Sequence, residues 1–173
     1  SAPVKQKIVA SFEYKDAEGK TLYIKERLEP GRNGRNKEFR FKHREGAGRG
    51  SEPVLYKLPE LINSKYAIVV EGEGKADLLK KWGLTATCLD SGANSPWKDE
   101  YTKVFEGKEK VVILPDNDAP GRSYASKIAN ALHGKVKSLK VVELPGLEEA
   151  ADVIDWSRIQ GNDKAKLLEI IKE

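Results

Sequence analysis

Hydrophobic and polar positions follow two different rhythms along the chain. In the first third they alternate: Ile8, Ala10, Phe12 and Tyr14 fall on one face of residues 7–15, and Asp16-Ala17-Glu18-Gly19 supplies a turn. Leu22, Ile24 and Leu28, with Tyr23 and Lys25 between them, continue as a second strand, so the pattern predicts a hairpin. Pro30-Gly31-Arg32-Asn33-Gly34 is a second turn cluster, and residues 38–42 alternate again as a third strand. Gly46, Gly48 and Gly50 then loosen the backbone before Pro53-Val54-Leu55-Tyr56. The expectation is a small antiparallel, β-rich subdomain with a charged face.

From residue 66 the rhythm changes. Strand-like runs at 67–70, 84–89, 110–114 and 139–144 alternate with helical stretches at 75–82, 98–105, 121–132 and 163–171. A run apolar on every residue, as at 67–70, is that of a strand buried on both faces. Strand, helix, strand in repetition implies right-handed crossovers and a mainly parallel sheet flanked by helices, an α/β fold. The expected division is 1–65 for the basic β-rich part, 66–160 for the α/β part and 161–173 for a closing helix.

Composition narrows the class. The chain has 173 residues, room for one good core with a small appendage. With 39% hydrophobic and 34% charged residues and no apolar run near the roughly 18 residues of a membrane helix, a spanning protein is not expected. No signal-peptide pattern opens the chain. One cysteine, Cys88, excludes an internal disulfide, and with two histidines it cannot build a cysteine-rich zinc site. A reducing, cytoplasmic setting is expected. The absence of Met, at residue 1 included, points to a piece of a longer protein.

The net charge of +4 hides an asymmetry. Residues 1–66 carry 15 Lys and Arg against 9 Asp and Glu, whereas residues 67–173 carry 16 against 18. The densest stretch holds Arg32, Arg35, Lys37, Arg40, Lys42, Arg44 and Arg49 against only Glu38 and Glu45. Such a stripe suits a polyanion, or else is a solvated surface loop.

Ligands of parallel sheets sit at the carboxyl ends of the strands. Acids follow three of them here: Glu71 after the first run, Asp116 and Asp118 after the third, and Asp152 and Asp155 in the loop beyond the fourth. If the backbone is extended, residues i and i+2 project alike, so Asp116 and Asp118 aim two charges at one spot. Like charges that close push a proton back on unless a cation is held between them, and hard divalent ions prefer carboxylate oxygens. Asp118 also reads as a helix N-cap ahead of Ala119-Pro120, and the two readings can hold together.

Val69-Val70-Glu71-Gly72 together with Asp116-Asn117-Asp118-Ala119-Pro120-Gly121 resembles the two signature motifs of the TOPRIM (topoisomerase-primase) domain. Leu55-Tyr56-Lys57-Leu58-Pro59-Glu60-Leu61, Gly92-Ala93-Asn94 and Asp152-Val153-Ile154-Asp155-Trp156 are similar to segments of primases and primase-helicases of phages, plasmids and other mobile elements. The hairpin section resembles the basic subdomain that precedes TOPRIM there. One departure stands out: relatives often carry an acid four residues after the motif glutamate, where this chain has Lys75. The zinc module usual ahead of such primases and the G-x-x-x-x-G-K-[ST] of a helicase motor are also missing from the sequence.

The resemblance implies a DNA primase core that makes short primers on a single-stranded DNA template from NTPs by nucleotidyl transfer. Glu71, Asp116, Asp118 and Asp152 are then the expected ligands of Mg²⁺ or Mn²⁺, two ions by analogy, with Glu71 either a ligand or the general base. Lys57, Lys75 and Arg122 are candidate triphosphate contacts, and Arg32, Arg35, Lys37, Arg40, Lys42 and Arg44 candidate template contacts. Phe39, Phe41 and Tyr56 either stack on bases or form a packed face. A replicative helicase or a separate zinc-binding module is the implied partner. A metal-dependent nuclease and a non-catalytic single-strand-binding module remain the alternatives.

Overall fold

The computed structural model of the protein describes residues 4–173. The chain divides into two compact units, Ser1–Pro59 and Glu60–Glu173. The division falls six residues before the 65/66 boundary expected from the sequence, and the closing helix belongs to the second unit.

The first unit is a four-stranded antiparallel sheet in the order β1 (Lys7–Lys15), β2 (Thr21–Glu29), β3 (Glu38–His43), β4 (Gly46–Ala47). Asp16 closes the first hairpin, its Oδ1 accepting from the amides of Glu18 (3.1 Å) and Lys20 (2.9 Å). The buried face of β2 differs from expectation. Tyr23, 1% exposed, and Lys25 point inward, not Leu22 and Ile24. The reason is aromatic: Tyr14 and Tyr23 pair across the strands and stack at 4.9 Å, with Tyr56 5.2 Å from Tyr14 and Phe41 5.8 Å from Tyr23. Ring area outweighs branched aliphatic side chains in choosing the face. Tyr56, buried within this cluster, belongs to the packed face rather than to any base-stacking surface.

The second unit carries a four-stranded sheet, all parallel, in the order β6 (Ala86–Thr87), β5 (Tyr66–Val69), β7 (Lys110–Ile113), β8 (Leu139–Val141). Its helices are α2 (Glu73–Lys81), α3 (Asp99–Phe105), α4 (Ala119–Leu132), α5 (Val153–Ser157) and α6 (Lys164–Lys172), while α1 (Leu58–Ile62) spans the division between units. Ala67 through Val70 and Val111 through Leu114 are all buried, as the unbroken apolar runs require. The outer strands are shorter than their apolar runs: 84–89 yields two strand residues and 139–144 yields three. At a sheet edge such a run is covered by neighbouring loops and helices without pairing along its length.

From β5 the chain adds β6 on one side, then crosses to add β7 on the other side with β8 beyond it. The order therefore reverses between β5 and β7, and the crevice beyond their carboxyl ends is where such sheets bind ligands. Glu71 and Asp116 lie just past those two ends. Among the described residues no helix is long and apolar enough to cross a membrane.

Candidate active site

The acidic edge is built by three loops locked to one another. Val70 N donates to Thr87 O and Leu114 N to Val69 O, each at 2.9 Å, so the strand ends stay in register up to the acids. Tyr124, buried on α4, donates its hydroxyl to Val70 O (2.9 Å) and accepts from Leu89 N (3.4 Å), tying the ends of β5 and β6 to that helix. Burial holds its phenol well above the usual range.

The Asp116-Asn117-Asp118 loop is turned rather than extended. Asp118 N donates to Asp116 O at 2.9 Å, and Asp118 N-caps α4, its Oδ1 accepting from Gly121 N at 2.7 Å. The i, i+2 argument for their convergence thus does not hold, because the cap forces the backbone to bend. The charges of both aspartates nevertheless act on Glu71. Gly121 explains the glycine of the motif: a Cβ there would stand 2.3 Å from Asp116 O and 2.9 Å from Asp118 Oδ1.

Asn117 is a residue the sequence reading missed. Its Nδ2 donates to Leu147 O (3.0 Å) and Glu148 O (2.9 Å), while its backbone pairs with Ala151 O (2.8 Å) and Ala150 N (2.9 Å). The 147–151 segment is thereby fastened to the loop after β7. Asp152, which caps α5 in a reciprocal capping box with Asp155, is carried to the same edge. The signal was present: an amide between two acids is free to bind a second loop.

Lys75 stands in the first turn of α2 with its side chain 15% exposed. Its Nζ donates to Asp116 Oδ2 at 2.8 Å and lies 3.6 Å from Asp152 Oδ2. Burial alone would lower this ammonium's pKa, but the hydrogen bond to Asp116 and the charges of Asp116, Asp152 and Glu71 outweigh it and raise it. Two oxygens remain orphaned: Glu71 Oε2 and Asp116 Oδ1 are buried without a hydrogen-bond partner. Glu71 is pushed up to about 7, first by burial, then by the charge of Asp116, with Asp118 adding to it and Lys75 opposing. Burial likewise raises Asp116, against the pull of Lys75. Among the described residues no three Asp, Glu, His or Cys side chains converge to form a ready metal cage.

The candidate phosphate contacts belong to both units. Lys75 is engaged by the aspartates, and Arg122 is exposed in the first turn of α4. Lys57 belongs to the first unit, in a left-handed backbone conformation (φ 55°) with Nζ 4.6 Å from the Tyr56 ring centroid.

The basic stripe of the first unit is partly neutralised. Arg40 Nε and Lys42 Nζ each lie 2.5 Å from the buried Glu26, and Arg32 is clamped on Glu38. Arg49 lies 4.1 Å over Phe41, Lys37 5.8 Å over Phe39, and Lys25 4.4 Å over Phe39. Arg35, Lys37 and Arg44 are exposed, and among the described residues they make no ion pair.

Two solved structures share this architecture. The chain superposes on the Aquifex aeolicus primase, solved with its zinc-binding and RNA polymerase domains, at a TM-score of 0.68 and 21% identity. It superposes on a DNA primase domain from Pseudomonas aeruginosa at 0.68 and 20%. Each match covers 94% of this chain, but only 39% of the first structure and 50% of the second. The chain shares the fold of these primase domains, a parallel sheet flanked by helices and an antiparallel sheet ahead of it in sequence. In sequence, the Gene 57 protein of Mycobacterium phage D29 is 30% identical over 115 residues, 66% of this chain and 70% of the phage protein. The chain belongs to the family of that phage protein. No family model matches it.

Proposed function

We propose that the chain is the polymerising core of a DNA primase, joining NTPs into short primers on single-stranded DNA. The observation that carries this reading is the pair of buried, orphaned carboxylate oxygens of Glu71 and Asp116 at the point where the sheet order reverses. Fold likeness to two primases supports the same class.

A divalent cation suits these residues. Buried anionic oxygens without donors are costly unless protonated or bound to a cation, and carboxylates are the ligands that Mg²⁺ and Mn²⁺ favour. Glu71 and Asp116 would hold it, with Asp118 beside them. When bound, such an ion supplies Lewis-acid stabilisation of charge on phosphoryl oxygens and lowers the pKa of an attacking hydroxyl. Glu71, whose pKa stands near 7 in the free chain, can hold or release a proton at its Oε2. Asp118 and Asp152 fix the N-termini of α4 and α5, and Tyr124 keeps the floor of the crevice rigid. Arg35, Lys37 and Arg44, exposed on the first unit, would contact the template backbone.

The test is primer synthesis on single-stranded DNA with NTPs and Mg²⁺ or Mn²⁺. Short oligonucleotides are expected, and Asp116→Asn with Asp118→Asn should reduce them by about 10²-fold or more, while Asn at 118 still caps α4. Synthesis that persists in the double variant would sink the assignment, and nicking of DNA without NTPs would move the reading to a nuclease.

A further inference from the structure

Lys75 is at the wrong end of its helix. Cations are disfavoured in a first helical turn, where the macrodipole is positive, and a mostly buried ammonium adds a desolvation cost. Both are offset here chiefly by the aspartates of two other loops, Asp116 at 2.8 Å and Asp152 at 3.6 Å, with the charge of Glu71 adding to them. The lysine is therefore a built part of the acidic edge.

The oxygens of the edge differ in what they already bind. A carboxylate that bridges two metal ions through separate oxygens uses both, but Asp116 Oδ2 is engaged by Lys75, which leaves Oδ1. Asp118 Oδ1 accepts from Gly121 N. Asp152 Oδ1 accepts from the amides of Ile154 (2.7 Å) and Asp155 (3.2 Å), while its Oδ2 faces the ammonium. The buried oxygens without a donor are on the Glu71 and Asp116 side, and the Lys75 ammonium lies against both Asp116 and Asp152.

We propose that Lys75 is the resident counter-cation of this site: it holds the Asp116–Asp152 side that a second divalent ion would otherwise take, so the chain binds one divalent ion. This rests on the reading of the acids as metal ligands. Lys75 acts through Asp116 and Asp152 and is a positioning residue.

Mn²⁺ titration by calorimetry on the full chain tests this without reference to activity, with circular dichroism melts confirming that each variant is folded. The unaltered chain should take up one Mn²⁺, and Lys75→Asp, which exchanges the cation for a ligand, should take up two. Lys75→Gln keeps a similar stem without the charge, and should hold one ion about tenfold or more tighter through lost repulsion. Two ions in the unaltered chain, or one in Lys75→Asp with affinity unchanged in Lys75→Gln, overturns the proposal. If Lys75→Asp does not fold, the Lys75→Gln affinity decides alone. The underlying reading fails in a different way: no Mn²⁺ uptake by the unaltered chain or by any variant. Uptake of one ion that is lost in Asp116→Asn upholds that reading whatever Lys75 does.

Discussion

The two units handle charge in opposite ways. The first unit carries 14 Lys and Arg against 8 Asp and Glu, and several of its cations are matched by Glu26, Glu29 and Glu38, Glu26 taking two. The second carries 17 against 19, and four of its acids, Glu71, Asp116, Asp118 and Asp152, follow strand ends, with two buried oxygens left without donors among the described residues. Exposed pairs contribute little to stability and leave a surface that a polyanion can still reach. Half-buried acids without partners destabilise the empty site and create an appetite for a cation. The difference separates a surface suited to a long charged ligand from a point suited to chemistry.

The contrast is most exposed at two glycines of the acidic edge. Gly121→Ala would press a methyl group into Asp116 O and Asp118 Oδ1, which are too close for any Cβ. We expect a loss of about 1–3 kcal/mol in urea unfolding, with divalent-ion binding weakened as the two aspartates separate. Gly74→Ala, one residue before Lys75, meets nothing closer than Ile154 Cδ1 at 3.7 Å. Inside the first turn of α2 it should be neutral or stabilise by up to about 1 kcal/mol. Equal effects at the two positions would break the claim that the glycine of the aspartate loop is a steric necessity.

A smaller effect lies in the sheet of the first unit. Glu26 is 1% exposed and its carboxyl is held below the usual value of 4.5, chiefly by the hydrogen bond from Lys42 and also by Arg40, against the opposing pull of burial. A depressed folded-state pKa contributes stability that is full above the ordinary glutamate range and fades as pH falls through the lowered value. Glu26→Gln should therefore cost about 1–2 kcal/mol at neutral pH. That difference should shrink steadily as unfolding is measured at lower pH, and a gap independent of pH would mean that packing rather than charge is at stake.

How much of this was legible beforehand follows from the range of each interaction. The parallel strands were readable because burial on both faces leaves runs such as Ala67 to Val70 and Val111 to Leu114 without polar interruption, and the acids at their ends because ligands of parallel sheets sit there. The inward face of β2 was misread, since counting aliphatic residues favours Leu22 and Ile24 while the stacking of Tyr23 on Tyr14 depends on the partner strand. Asp116 and Asp118 were paired for the wrong reason: an extended backbone was assumed where the cap of α4 bends it. Lys75 was read as a phosphate contact because it begins a helix at a strand end, whereas its partner Asp152 arrives from 77 residues away on a loop that Asn117 helps to fasten. Local pattern marked the acids at the strand ends, and the arrangement between them was a tertiary fact.

The smallest effect separates cations that are free from those that are paired. Arg35 and Arg44 are exposed without an acid beside them, whereas Arg40 and Lys42 share Glu26. If the sheet tracks a single strand through its phosphates, each lost contact lowers the salt dependence of binding by about 0.7 in the log–log slope, roughly 1.4 for Arg35→Ser with Arg44→Ser. Arg40→Ser with Lys42→Ser should change it less, because Glu26 already neutralises part of that charge and is itself set loose by the substitution. Fluorescence anisotropy with a labelled oligonucleotide over a range of salt concentrations measures both slopes. An equal change for the two pairs would show that Glu26 does not restrain its cations, and the first unit would then present a uniform basic face instead of a few selected contacts.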